Sequence, residues 1–367
     1  MKKFIIFLII IIVLIVIGIN IGILDFSNNE ENFANYSGYY FSKLRTDEKE
    51  IYVKIDEAIT ERKERAFLGV QDTETLTKKI NKVLSAYFYD NPRCYYISNE
   101  YTLYTRNFLL FKSSSVKLNY TTRPKDLNIT DREFENAIEE FLLRHVTNDM
   151  TDFEKEVAIH DALVEEVNYY ENNYLDINTI PSAKHSAYAA LVGKDAVCDG
   201  YSKAFKILLE EVGIESIIVG GSTGNIAHAW NLVKLDDGYY HVDVTSDKLE
   251  DDKKYVIHKY FNLTDSEIGK THNIDTTFSL PKCEAKGYDY YTKTDCYISS
   301  GDNLYNKLDE IIVSQQSSNV LEIKVDERYN ARRIIDTLYN LNFNNWRSSG
   351  KNSVSYHTIQ DVYIFIK

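Results

Sequence analysis

The sequence predicts an α+β protein: a transmembrane helix at the N-terminus, a mainly helical region after it, a mixed core in the middle of the chain, and a small α/β module at the C-terminal end. Three observations carry this reading. Residues 4–24 form an almost unbroken apolar run. Apolar residues then recur at helical spacing, until alternation sets in between Glu215 and Thr245. Beyond Tyr290, helix and strand signatures follow one another in short segments. The expected division is 1–3 as a cytoplasmic N-terminus, 4–24 as the membrane span, 25–150 as the helical region with short strands, 151–285 as the core and 286–367 as the accessory module.

The span comes first. From Phe4 to Leu24 the residues are Ile, Leu, Val and Phe, broken mainly by Gly18, Asn20 and Gly22. About 20 apolar residues in a helix cross a bilayer core. No small-x-small cleavage pattern follows, so an uncleaved signal anchor is favoured, with a cleaved signal as the alternative. Lys2 and Lys3 precede the run, and Asp25, Asn28, Asn29 and Glu30 follow it. The positive-inside rule then predicts a single-pass protein of the cell membrane with everything after the span extracytoplasmic.

In the helical region, Ile51, Ile55, Ala58 and Ile59 share one helix face, as do Leu76, Ile80, Val83, Leu84 and Tyr87. Tyr95–Tyr120 is rich in Tyr, Thr, Phe and Val and reads as strands. Thr130 with Glu133, and Thr151 with Glu154, fit the Ser/Thr-x-x-Glu box that opens a helix. In the C-terminal module a helix near Asp302–Val313 should precede a strand at Val320–Val325, and a helix near Tyr329–Asn340 two short strands.

Composition excludes several functions. A net charge of -13 without a basic patch argues against nucleic-acid binding. The tyrosines are spread through every segment, which favours packing over a carbohydrate platform. Four cysteines are too few for a disulfide scaffold, and Cys283 and Cys296 are expected either to pair or to stay free thiols. Neither paired CxxC nor HExxH occurs, and no acidic loop has calcium-ligand spacing, so no metal or other cofactor is expected. The stretch Val219–Asn225 lacks the Gly-Lys-Ser/Thr ending of a phosphate loop and reads as a turn between strands.

Chemistry concentrates in the middle. Residues 196–205 lead into a helix that Gly213 should stop, which sets Cys198 at the helix N-terminus. The partial positive charge and N–H groups there stabilise a thiolate and can form part of an oxyanion hole. Downstream, Ala227–Leu235 and Tyr239–Thr245 flank Asp236-Asp237-Gly238, a strong hairpin signal. An even-length loop turns His228 and Asp243 to the same face; with four residues in the loop they form a diagonal pair within side-chain reach. A carboxylate that fixes an imidazole, together with a thiol at a helix end, is the pattern of a nucleophilic triad. The bland readings are a buried small hydrophobe for Cys198, a core anchor for Trp230 with a cleft-lining role as its alternative, and a satisfied core histidine for His160. His185, His241, His258 and His272 read as packing or surface residues.

The strings VCDGYSKAF, HAWNLVKL and YYHVDVTSD resemble the three catalytic blocks of the transglutaminase-like superfamily, in particular its microbial membrane-anchored or secreted branch. The likeness extends to Ile159-His160-Asp161, to Ser186–Ala190 and to Tyr260–Thr264, about the middle third of the chain. It implies a papain-like transglutaminase core with Cys198 as nucleophile, His228 as general base and acid, and Asp243 as orienting carboxylate. Two departures stand out: Ser246 where relatives often carry tryptophan, and no tryptophan upstream of the cysteine to help stabilise an oxyanion. Tyr188 is the possible substitute donor. The implied reaction is acyl transfer or hydrolysis at protein or peptide amides, with cell-envelope proteins as partners. A catalytically inactive scaffold that binds such proteins is the competing reading.

Overall fold

The computed structural model describes residues 33–69, 73–107, 112–170, 180–250, 254–326, 328–341, 355–359 and 361–366. The predicted span at 4–24 lies outside them. Among the described residues no helix is long and apolar enough to cross a membrane.

In chain order, the elements used below begin with helix α1 (Thr46–Thr60), strand β1 (Arg65–Gly69), α2 (Thr73–Asp90), β2 (Ile97–Asn107) and β3 (Lys112–Tyr120). Helices α3 (Leu127–His145), α4 (Asp152–Glu166), α5 (Ala187–Leu191) and α6 (Cys198–Glu211) follow. Next come β4 (Ser216–Thr223), β5 (Ile226–Leu235), β6 (Gly238–Val242) and β7 (His272–Ile274). The chain closes with β8 (Tyr297–Ile298), α7 (Leu304–Ser314), β9 (Val320–Val325), α8 (Ala331–Asn340), β10 (Ser355–Ile359) and β11 (Val362–Ile366).

The described residues fall into two compact units. The first takes its described residues from 33–139, 170–207 and 275–280, the second from 140–169, 208–274 and 281–366. In the first, α1 and α2 bury the stripes the sequence predicts, Ile51, Ile55 and Ile59 on one and Ile80, Val83 and Tyr87 on the other. The Tyr87 hydroxyl donates to Asp56 at 2.9 Å, which ties the two helices together. Beside them is an antiparallel sheet in the order β1-β3-β2. Helix α3 does not start at the Thr130–Glu133 box. Pro124 opens a 3₁₀ turn that leads straight into Leu127, and Thr130 sits inside the helix with its hydroxyl on the Leu127 carbonyl.

In the second unit the predicted capping box is present: Thr151 accepts from the Glu154 N–H and the Glu154 carboxylate accepts from the Thr151 N–H. The central sheet is antiparallel in the order β7-β4-β5-β6. Val219–Thr223 is strand and not turn, because the reversal is compressed into Gly224, at φ +57°, and Asn225. Gly221 is needed inside that strand. A Cβ there would come within 2.7 Å of the Trp230 ring and 2.2 Å of the Asn273 carbonyl oxygen. At the C-terminal end, the sheet β8-β9-β11-β10 and helices α7 and α8 bury Leu308, Ile323, Ile334 and Ile364. Ile257 belongs to the same core.

Candidate active site

Cys198 is the first residue of α6 and is 9% exposed. The helix turns on at once, with the Tyr201 N–H on the Val197 carbonyl at 3.1 Å and the Ser202 hydroxyl on the Cys198 carbonyl at 2.9 Å. Its first turn packs against backbone: a Cβ on Gly200 would sit 2.9 Å from the carbonyl oxygens of both Lys184 and Ser186. Next to the thiol residue, Asp199 accepts from Lys203 at 3.0 Å and Asn99 at 3.1 Å. Burial alone would raise its carboxyl, but Lys203 and His185 outweigh that and hold it well below the usual range. All four cysteines, Cys283 and Cys296 included, are free thiols.

His228 and Asp243 stand on the second unit's sheet. Leu235 pairs with Gly238, so the loop is the two residues Asp236 and Asp237. The shorter loop keeps the register of a four-residue one, since Lys234 faces Tyr239 in both. One step past the Asn231–Val242 pair, Asp243 comes opposite Trp230 and diagonal to His228. His228 Nε2 lies 2.7 Å from Asp243 Oδ2. Asp243 is not a strand residue, however: β6 ends at Val242. The Asp243 carboxylate accepts from the N–H groups of Thr245 and Ser246, so its own side chain turns the backbone out of the strand. The hydroxyls of Thr245 at 2.7 Å and Ser246 at 2.6 Å add to these. Ser246, the departure from the family pattern, is thus a hydrogen-bond donor to the Asp243 carboxylate. The strand's outer side is closed by Tyr260–Thr264, through the His241–Leu263 bridge and the Asp243 N–H on the Tyr260 carbonyl.

Sequence reasoning missed His272. Its Nε2 lies 2.9 Å from the same Oδ2 that His228 engages, and it is buried, not a surface residue. Burial pushes the Asp243 carboxyl up, but the charge of His228 and the hydrogen bonds from His228, His272 and Ser246 hold it well below the usual range. No local pattern announces His272; only the pairing of β7 with β4, His272 opposite Thr223, brings it onto the His228 face. Trp230 is a core residue, 1% exposed, with its indole N–H on His241 Nδ1 at 2.9 Å. His241 Nε2 in turn lies 3.0 Å from Asp265, and burial lowers the imidazole to about 4, so it is neutral. Tyr188 stacks on Tyr95, and its hydroxyl donates to Glu133 at 2.7 Å.

His160 and His258 form a second buried group. Asp161 Oδ1 lies 2.8 Å from His160 Nδ1 and 3.0 Å from His258 Nε2, while His258 Nδ1 lies 2.8 Å from Glu322 on β9. Burial would lower His258, but Glu322 and Asp161 outweigh it and raise the imidazole to about 10. His160 is the core residue the sequence predicts, bonded to Asp161 through Nδ1, but its Nε2, 3.2 Å from Asp247, makes no hydrogen bond among the described residues; His258 is an ion-pair hub that no local signal gave.

Three groups of His, Asp and Cys have ligand atoms close enough to hold an ion: His160/Asp161/His258, His228/Asp243/His272 and His241/Asp265/Cys283. Their hydrogen bonds argue otherwise. His258 donates from both nitrogens and has no lone pair to give. In neutral His241, Nδ1 accepts from Trp230, so the proton is on Nε2. The nitrogens of His228 and His272 sit at direct N–H···O distances from Asp243, whereas ligands around an ion at about 2.1 Å stand roughly 3 Å or more apart. A cavity of about 330 Å³ is lined by residues including Asn262, Glu267, Asp289, Lys324 and Asp361, and by none of the predicted site residues.

Residues 140–244, a span that takes in Cys198, His228 and Asp243, match the sequence profile of the transglutaminase-like superfamily. No curated protein matches the chain. Among solved structures, a TGase is 15% identical over 56% of this chain and 53% of its own, with a TM-score of 0.29. A candidate cysteine protease from Cytophaga hutchinsonii is 11% identical over 40% of this chain and 62% of its own, with a TM-score of 0.24. The chain spans less than two thirds of the length of either. Residues 140–244 are thus a transglutaminase-like domain within the chain.

Proposed function

We propose that the protein is a membrane-anchored, extracytoplasmic thiol enzyme that transfers or hydrolyses acyl groups at protein or peptide amides of the cell envelope. Cys198 is the nucleophile, His228 the general base and acid, and Asp243 the orienting carboxylate. The observation that carries this reading is the His228–Asp243 pair at 2.7 Å, within the span that matches the superfamily. With Nε2 on the carboxylate, Nδ1 is the nitrogen that exchanges a proton with thiol and leaving group. Residues 4–24 serve as the anchor.

The Cys198 sulfur attacks the amide carbon, and its proton passes to His228. The tetrahedral oxyanion is met by N–H groups at the start of α6. As it collapses, the C–N bond breaks, the amine leaves with the proton from His228, and a thioester remains. An acceptor amine or water then attacks the thioester, loses its proton to His228, and releases the thiol. A lysine amine yields an isopeptide crosslink, and water yields deamidation or peptide cleavage.

Incubating the protein with glutamine-containing peptides and a tagged primary amine, followed by mass spectrometry, separates these outcomes. Tag incorporation identifies crosslinking, a one-dalton shift deamidation, and scission peptidase action. Every product should vanish in Cys198→Ala. If wild type makes no product that the variant lacks, the enzyme reading falls. Thiol labelling by a small electrophile discriminates further: His228→Ala should slow labelling of Cys198 by about 100-fold or more. Labelling indifferent to that change favours a non-catalytic scaffold.

A further inference from the structure

Asp243 Oδ2 receives two imidazoles, His228 at 2.7 Å and His272 at 2.9 Å, and only the first has a part in the proposed reaction. From this shared oxygen we infer that His272 is a positioning residue for His228, acting through the Asp243 carboxylate; the inference rests on the triad reading above and deepens it.

His272 is built to donate. The Thr271 hydroxyl lies 2.8 Å from its Nδ1 and 3.4 Å from the Ile268 carbonyl oxygen. An ionised carboxylate can only accept, so the Nε2 that faces Asp243 carries the proton of that contact. The ring is held edge-on to Trp230 at 5.0 Å and to Tyr260 at 5.3 Å. Its backbone is held by the pairing of His272 with Thr223. His272 therefore grips the carboxylate from β7, the far edge of the sheet, while His228 reaches it from β5. The two rings stand 5.6 Å apart and inclined at 49°, so the oxygen is pinned from two directions.

This second grip has an electrostatic consequence. Each donor on a carboxylate stabilises its charge and weakens its pull on any other partner. Around His228 in this unit stand Asp243 from the turn after β6, His272 from β7, Tyr260 behind His272, and His241 beyond Trp230. With His272 removed, the Asp243 charge is shared among fewer donors. His228 then binds its proton more tightly, and its nitrogen works as a base only at higher pH.

The test is an imidazole-¹⁵N NMR titration of the full-length chain. Its eight histidines are distinguished with the help of His228→Gln. Wild type should show His228 with its proton on Nε2. His272→Ala should raise the pKa of His228 by about one unit and move the acid limb of the kcat/KM profile with it, lowering kcat while KM stays near wild type. His272→Gln, which offers an amide N–H to the same oxygen, should restore most of both. A His272 that only packs the sheet would lower the melting temperature and leave the His228 titration where it was; that result overturns the inference. Should His272→Ala not fold, Thr271→Val removes the hydroxyl on Nδ1 and should shift His228 in the same direction by less; an unmoved titration there is equally fatal. The titration needs no substrate, so an inactive wild type sinks the proposed reaction and leaves this measurement to decide the role of His272.

Discussion

Among the buried carboxylates of the second unit, Asp243 and Glu156 end in opposite states. Asp243 accepts six hydrogen bonds, from His228, His272, Ser246 twice and Thr245 twice, and is held ionised. Glu156, 0% exposed, accepts from the Asn262 amide at 3.0 Å, while among the described residues its Oε1 has no hydrogen-bond partner. Burial raises its carboxyl to about 8. The sign follows from linkage. Between the ordinary carboxyl range near 4.5 and about 8, the folded state holds a proton that the unfolded state has lost, so stability falls as pH rises through that window. Glu156→Gln keeps the acceptor for Asn262 and removes the ionisation. Its gain in melting temperature over wild type should therefore grow from pH 5 to pH 8, and a gain that is flat with pH refutes the assignment. Asp243 was legible in the sequence because it lies in a recognisable block beside its hairpin. Glu156 was not, because α4 shows only an acidic residue in an amphipathic helix, and what buries it includes a segment more than a hundred residues away.

At the scale of elements, the start of α6 depends on the absence of a side chain. Gly200 lets the first turn approach the Lys184 and Ser186 carbonyls, where a Cβ would stand at 2.9 Å from each oxygen and 2.8 Å from the Ala196 methyl. Backbone cannot yield as a flexible side chain does. Gly200→Ala should destabilise the fold by about 1–3 kcal/mol in denaturant melts and slow electrophile labelling at Cys198, since the thiol sits two residues away in the displaced turn. Wild-type stability in that variant would show that the helix is not clamped there. The helical and strand rhythms around this turn were readable because period and burial coincide: Ile51, Ile80 and Val116 are all fully buried, each on the face its spacing predicts. Boundaries were read less well where side-chain chemistry intervened, as when Pro124 advanced the start of α3 and Asp243 cut β6 short.

At the scale of the second unit, the C-terminal module is joined to the α4 side by charge as well as by apolar packing. Glu322 accepts from the His258 N–H at 2.8 Å and from its imidazole at 2.8 Å, and the Tyr291 hydroxyl adds a third bond, also at 2.8 Å. His258 in turn reaches Asp161 on α4 and stacks on Tyr290 at 3.6 Å. Because the folded imidazole is raised to about 10, its contribution to stability is complete below its ordinary value near 6.5 and is lost as pH rises through about 10. Glu322→Gln leaves the buried imidazolium short of a counter-charge, and losing one partner of a buried pair costs about 3–5 kcal/mol. The gap between variant and wild type in urea melts should be largest near pH 6 and shrink above pH 10. A gap that does not change with pH would mean that Glu322 acts by shape alone. In this module the strand Val320–Val325 and the ends of its two longer helices were legible, while the helices start two residues later than predicted and the short strand β8 was not foreseen. The link was not, because His258 and Glu322 are 64 residues apart and neither sits in a motif.

The hairpin from β5 to β6 has a consequence for comparing sequences. His228 and Asp243 are fifteen residues apart and share a face because strand pairing alternates sides at every step. Inserting or deleting one residue within either strand, between the turn and His228 or between the turn and Asp243, would send the two side chains to opposite surfaces unless a bulge absorbed the change, whereas the turn itself can change length without turning either over. Working relatives should therefore keep the two strand stretches in step and vary freely only in the turn, and a one-residue change within a strand flags either a bulge or a pair that no longer meets.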